Sequence, residues 1–282
     1  MAPLTRSLST ICTALALALF VPVTAAQTAT SNSLLAQTIQ STLSRRWPPS
    51  DHLSWLVLDT ASGQVLAQQW PSLDDPIPVG SLTKPFLAFA YARTHDTFPH
   101  TRCQGTQDLC WLPKGHGTLD IEQALAHSCN AYFLALARQL EPTSLQTITQ
   151  LYNLPAAPPD ATPEILIGLQ PTWQIAPVTL ARAYARLANQ PDNHAILTGM
   201  RLAAQQGTAR ALNAEDVLAK TGTAPCLHHG LATGDGLVLA LTPAANPRIL
   251  LLVRQHGTTG AATAIIAAQM LHALRAQNAA NH

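Results

Sequence analysis

Lysine is nearly missing from this 282-residue chain: Lys84, Lys114 and Lys220 are all it has, and arginine supplies the other cations. Charge of either sign is scarce, 11% of residues with a formal net charge of +1, against a usual charged share of roughly 25%. So few cations leave no basic stripe, and no RNA-binding signature or zinc-finger spacing occurs, which removes nucleic acid as a partner. The apolar run Ile11 to Val23 is shorter than the ~20 residues that span a bilayer. There is no internal repeat of solenoid length and no long block of like charge, which excludes repeat arrays and charged tails. Histidine is plentiful and includes His228-His229, yet no metal-ligand spacing recurs, so neither a metal nor a cofactor is expected.

What is there describes an exported globular protein. Hydrophobic residues make up 47% of the chain, enough at this length for one moderate-sized domain with a substantial core. Arg6, the apolar run after it and the small residues Thr24-Ala25-Ala26 read as an export signal cleaved before Gln27. Residues 1–26 are then a signal peptide and 27–282 a single extracytoplasmic or periplasmic domain. Cys12 lies inside the apolar run and does not follow it in a lipoprotein cleavage context, so no lipid anchor is expected. Export permits disulfides. Cys103 and Cys110 bracket a short loop rich in Gly, Gln and Asp and are expected to pair, Cys129 reads as a small buried residue, and Cys226 has no assigned role.

The order of elements suggests an α+β fold. Apolar residues at helical spacing predict a helix over 32–45, and Pro48-Pro49 ends it. Short β-like runs at 53–58 and 64–70 flank Asp59-Thr-Ala-Ser-Gly63 and read as a hairpin. Helical patterns follow at 81–94, 119–127, 130–140, 143–152 and 177–189, within a helical subregion of about 81–206. Aliphatic strands return at 217–220, 237–241 and 249–253, before an Ala-rich helix over 261–276. The expectation is a mainly antiparallel sheet with both terminal helices on one face, meeting an all-helical region across a cleft.

Two of the three lysines fall inside short motifs: Ser81-Leu-Thr-Lys84, Ser128-Cys-Asn130 and Lys220-Thr-Gly-Thr223. Each alone is weak, because Ser-x-x-Lys is commonly a solvated helix face. The spacing has a mechanical reason, since residues three apart on a helix share a face and set an amine beside a hydroxyl. A lysine desolvated in a cleft, or set beside a second cation such as Lys220, has a lowered pKa and can take the proton from serine. Ser81 at a helix start leaves its N–H unpaired and able to donate to an oxyanion. Ser128 and Asn130 sit in a connection between two helices. In Lys220-Thr-Gly-Thr, a glycine would let a substrate backbone lie along the strand while hydroxyls and a cation receive a carboxylate.

These motifs, in this order, resemble the active-site triplet of penicillin-binding proteins and serine β-lactamases. The resemblance extends to Pro85-Phe86, Gly115-His116-Gly117, Ala124 to Phe133, Pro177 to Asn189 and Gly207-Thr-Ala209, and spans roughly residues 53 to 275. It is to the transpeptidase domain of high-molecular-weight penicillin-binding proteins. It implies that Ser81 attacks a D-Ala-D-Ala carbonyl while Lys84 takes its proton. It further implies an oxyanion hole from the Ser81 and Thr223 N–H groups, proton relay to the leaving group through Ser128 with Lys220, and substrate binding by Asn130, Thr221, Gly222 and Thr223. The implied partners are peptidoglycan stem peptides, with β-lactams as inhibitors. His116 matches a family position and reads as structural. Trp111 and Trp173 could line the cleft, though core packing is the commoner use.

The motifs lie closer together than in the larger relatives, which implies trimmed loops. A β-lactamase shares the nucleophile and the fold, but fast deacylation requires a base over the water, and Glu164-Ile-Leu-Ile-Gly168 does not reproduce the Glu-x-x-Leu-Asn stretch that provides it in one class. A non-catalytic peptidoglycan- or β-lactam-binding module is the alternative outside enzymes, and three intact motifs argue against it.

Overall fold

The computed structural model describes residues 25–190, 193–227 and 234–280. Nearly all of the expected signal segment, and His228-His229, lie outside them. Among the described residues no helix is long and apolar enough to cross a membrane.

The chain opens with α1 (Ala25–Arg46) and the hairpin β1 (Leu53–Asp59) and β2 (Val65–Gln69). Its turn is closed by the Asp59 carboxylate, which accepts from the Ser62 N–H at 2.7 Å and from its hydroxyl at 2.6 Å, the side-chain-to-backbone bonding that makes Asp a turn residue. After β3 (Ile77–Pro78) and a 3₁₀ turn at Gly80–Thr83 come α2 (Lys84–Ala92), the small strands β4 (Thr101–Cys103) and β5 (Gly117–Leu119), α3 (Ile121–Ala126) and α4 (Asn130–Ala137). Next are α5 (Pro142–Tyr152), α6 (Pro163–Leu166), β6 (Gln174–Ile175), α7 (Pro177–Ala188) and α8 (His194–Gln205). The chain closes with β7 (Leu218–Ala224), β8 (Asp235–Thr242), β9 (Ile249–His256) and α9 (Gly260–Ala280). Three of the helices begin on proline, where the missing N–H is not needed and the fixed φ favours the first turn. Asp120 caps α3 by accepting from the Gln123 N–H at 2.8 Å.

The main sheet is antiparallel throughout, in the order β2-β1-β9-β8-β7. Because side chains alternate across a strand, its two faces feed two different cores. Trp55, Val57, Val238, Ala240, Leu251 and Val253 join Ile39 and Leu43 of α1 and Ala267, Met270 and Leu271 of α9. Leu56, Leu58, Leu237, Leu239, Leu250 and Leu252 point the other way, into the core shared with α2, α4, α5 and α7. Strands buried on both faces read as nearly continuous aliphatic runs. The result is the expected α+β architecture, with the terminal helices on one face of an antiparallel sheet and the helical region on the other. Strand β7 is an edge of that sheet and faces the helical region.

Two features of the sequence reading change. Ser81 lies in the 3₁₀ turn that precedes α2, not in the α-helix itself. Helix α8 and the β4/β5 hairpin were not anticipated.

Candidate active site

The 3₁₀ turn sets Ser81 and Lys84 on one side, because three residues complete a turn of that helix. Gly80 enters it with φ +55°, and a Cβ there would stand 2.7 Å from the Thr223 carbonyl oxygen, so only glycine lets the turn lie against β7. From behind, the Tyr184 hydroxyl of α7 donates to the Leu82 carbonyl at 2.7 Å, and Phe86 stacks edge-on with Tyr184 and Tyr152. The serine is thus held from both sides by buried contacts.

Ser128 occupies a left-handed residue, φ +51°, between α3 and α4. The Cys129 N–H donates to the Ala124 carbonyl at 2.9 Å and the Ser128 N–H to that of Leu125 at 3.2 Å, the pattern that ends a helix in a Schellman motif. Glycine is the usual residue there, since a side chain in that conformation costs about 1 kcal/mol. A serine kept at such a position is an observation in search of a function.

Lys84 is fully buried. Its amine donates to the Ser128 carbonyl at 2.8 Å, to Asn130 Oδ1 at 2.7 Å and to Ser128 Oγ at 3.4 Å, over the Phe133 ring. Burial lowers its pKa from 10.5 to about 7, opposed by the nearby sulfurs of Cys129 and Cys110, which pull it up. Lys220, also fully buried, donates to Ser128 Oγ at 2.8 Å and to the Thr221 carbonyl at 2.8 Å. Burial first, and the charge on Lys84 second, hold its pKa well below the ordinary lysine value. The two scarce lysines therefore meet on one hydroxyl, and neither amine is the ordinary solvated cation. Asn130 completes the frame by donating Nδ2 to the Leu109 carbonyl at 2.9 Å.

A cleft of about 440 Å³ joins these groups: Ser81, Ser128, Asn130, Thr221, Gly222 and Thr223 all line it. So do Thr208 and Trp111, the latter 54% exposed. Trp173 is instead buried core. Thr208 was not singled out as a site residue; its hydroxyl accepts from that of Thr221 at 2.6 Å, and its only signal was the Gly207-Thr-Ala209 match. Tyr184 was likewise visible only as part of a matching stretch. Thr223 Oγ1 accepts from the Gly260 N–H at the start of α9, tying β7 to the terminal helix. No carboxylate lines the cleft among the described residues.

The cysteines depart from expectation. Cys103 and Cys110 are free thiols, as is Cys129, and the three sulfurs gather around His116, with the four ligand atoms within 4.8 Å of one another. The Cys110 thiol is held well below the ordinary thiol pKa, because its sulfur accepts from the Cys129 thiol, from His116 and from the Leu112 and Asn130 N–H groups. His116 Nε2 is buried without a hydrogen-bond partner. No metal was expected because no ligand spacing recurs in the sequence; the fold brings these four ligand atoms together without one.

A serine one 3₁₀ turn before a depressed lysine amine, with a second hydroxyl in the cleft accepting from two lysines, is equipped for acyl transfer through a serine ester. The comparisons agree with that class. The profile of the penicillin binding protein transpeptidase domain matches residues 53–274, and the chain belongs to that family. Among solved structures it is similar to penicillin-binding protein 2 of Pseudomonas aeruginosa, at 19% identity over 86% of this chain and 76% of that one, with a TM-score of 0.68. The transpeptidase domain of Burkholderia pseudomallei penicillin-binding protein 3 aligns at 17% identity over 88% of this chain and 93% of that one, with a TM-score of 0.65. Penicillin-binding protein 2 of Helicobacter pylori, solved in complex with MreC, aligns at 15% identity over 86% and 62%, with a TM-score of 0.67. At these identities the likeness is one of fold. No curated protein matches the sequence.

Proposed function

We propose that the chain is an exported, extracytoplasmic serine D,D-peptidase that acts on the D-Ala-D-Ala ends of peptidoglycan stem peptides and is acylated by penicillins at Ser81. The observation that carries this reading is the convergence of both buried lysines on Ser128 Oγ in the cleft that Ser81 lines. The neutral Lys84 amine removes the Ser81 proton as Oγ bonds to the substrate carbonyl carbon. Backbone N–H groups of Ser81 and Thr223 receive the oxyanion. The proton on Lys84 passes through Ser128, held by Lys220, to the amine of the departing D-alanine as the C–N bond breaks. Asn130 holds the acyl-side amide, and Thr221 and Thr223 the terminal carboxylate beside Gly222. An amine or water then takes the acyl group. The absence of a carboxylate among the described cleft residues supports a peptidase over a β-lactamase that deacylates through a glutamate base.

The test is incubation of the full chain and its Ser81→Ala variant with fluorescent penicillin, following label and its loss over hours. A stable label on the unaltered protein alone is expected. Rapid loss with product release would make it a β-lactamase, and labelling of Ser81→Ala would remove Ser81 as nucleophile.

A further inference from the structure

We propose that Cys226, His256 and Asp235 form a second nucleophilic centre, an activated thiol that takes up small disulfides as a mixed disulfide. The proposal stands apart from the peptidase reading, because none of the three lines the cleft.

The three residues come from the ends of neighbouring strands. Cys226 lies two residues past β7, Asp235 opens β8 and His256 closes β9. Gly234 packs the turn before β8 tightly: it takes φ +86°, and a Cβ there would collide with the Ala224 carbonyl oxygen. Its own carbonyl accepts from the Gly257 N–H at 2.8 Å and from the Thr258 N–H at 3.1 Å. These ties bring the Cys226 sulfur, a ring nitrogen of His256 and a carboxylate oxygen of Asp235 within 4.8 Å of one another.

A nucleophile, a base within reach of it and a third group that orients the base are the parts of an activated thiol. His256 Nδ1 is hydrogen-bonded to Asp235 Oδ1 at 2.7 Å, and these side chains are only 8% and 7% exposed. The two are also cross-strand partners, but a staple between strands does not account for their neighbour. Arg254, two residues back along β9 and on the same face, is 6% exposed, and its Nε is buried without a hydrogen-bond partner. Burial lowers its pKa, and Asp235 and then Cys226 oppose that. The guanidinium is therefore within electrostatic reach of both the carboxylate and the sulfur. When the thiol proton moves to His256, Arg254 compensates the thiolate and Asp235 the imidazolium, with no change in the net charge of the four groups. Cys226 is half-buried, whereas Cys103, Cys110 and Cys129 are buried; reactive thiols occupy partly exposed, electropositive surroundings, and structural ones do not.

The step is thiol–disulfide exchange. His256 takes the proton, the Cys226 sulfur bonds to one sulfur of the small disulfide, and the S–S bond breaks. The other half departs and takes that proton, leaving as a thiol. Cys226 is oxidised, half of the disulfide is reduced, and a second small thiol reverses the reaction. Asp235 and Arg254 are positioning residues, since they act through His256 and the sulfur.

The experiment uses the full chain, reduced, freed of reductant and mixed at neutral pH with oxidised glutathione, the adduct at each cysteine being followed by peptide mass mapping. Cys226 should be modified at least about tenfold faster in the folded chain than in the same chain unfolded in urea, while Cys103, Cys110 and Cys129 stay unmodified in the folded chain. His256→Gln and Asp235→Asn should each remove the acceleration. Arg254→Gln should reduce it, and Arg254→Lys should retain it, which a loss of packing alone would not produce. Continued protection of the three buried cysteines separates a lost base from a lost fold; should His256→Gln fail that check, Asp235→Asn and the two Arg254 variants decide. The centre is overturned if Cys226 reacts no faster folded than unfolded, or if the acceleration survives in Asp235→Asn and Arg254→Gln alike.

Discussion

If Lys84 is the base that activates Ser81, acylation must follow its neutral fraction, and the structure sets where that fraction changes. A solvated lysine of pKa 10.5 is neutral only about three times in ten thousand at pH 7. With burial bringing the value to about 7, the neutral fraction becomes about one half, a gain of roughly a thousandfold in competent base. Burial is the cause, and the sulfurs of Cys129 and Cys110 oppose it. The assay is the second-order rate constant for labelling by fluorescent penicillin from pH 5 to pH 10. It should climb about tenfold per unit from pH 5 to pH 6.5, bend near 7 and be flat by pH 8. A rate that is flat across the range, or still climbing at pH 10, would falsify the assignment. The same shift sets a stability profile. Between about pH 7 and 10.5 the unfolded chain holds a proton on Lys84 that the folded chain lacks, so stability rises with pH across that window and is lowest below it. Denaturant midpoints at pH 6 and pH 9 should differ in that direction.

Three substitutions separate positioning from chemistry. Ser128→Gly relieves a left-handed side chain, worth about 1 kcal/mol, and loses hydrogen bonds of similar total value. Its unfolding free energy should therefore stay within about 1 kcal/mol of the unaltered protein while acylation falls 10²-fold or more; near-normal acylation would remove Ser128 from the relay. Gly80→Ala forces a Cβ to 2.7 Å from the Thr223 carbonyl, and should cut acylation at least 10²-fold by pushing the Ser81 turn off β7, as titration with fluorescent penicillin would reveal. Tyr184→Phe strands the Leu82 carbonyl and should cost about 1 to 2 kcal/mol in urea unfolding, with no loss measured if that hydrogen bond is unimportant.

The parts of this molecule that were legible in its sequence are those whose period or spacing is local. Aliphatic runs such as Leu237 to Leu241 and Ile249 to Val253 announced strands buried on both faces, and the three-residue step from Ser81 to Lys84 announced a shared side. Helix α8 was hidden because Gly199 interrupts its pattern. That glycine lets α8 press on α3, where a Cβ would meet Leu125 Cβ at 2.7 Å, a tertiary gain that outweighs its poor helix propensity. The β4/β5 hairpin was hidden because strands of three residues carry no alternation to read. Ser128 looked like an ordinary loop residue; its left-handed backbone emerges only when α3 ends. The cysteine cluster was misread for the same reason. Its members are spread over Cys103 to Cys129 without a repeated spacing, and only the packing of the hairpin on α4 gathers them.

The register of the sheet also fixes when this protein can exist during its own synthesis. Leu53 pairs with Gln255 and Asp59 with Ile249, so β1 waits for a strand made far later along the chain. Every motif residue has been made by Thr223, yet β7 reaches β1 only through β8 and β9. A nascent chain halted at Pro247 would carry Ser81, Lys84, Ser128 and Lys220 and still have no means of aligning them. Such long-range closure makes folding slow, and the catalytic groups come into register only with the sheet.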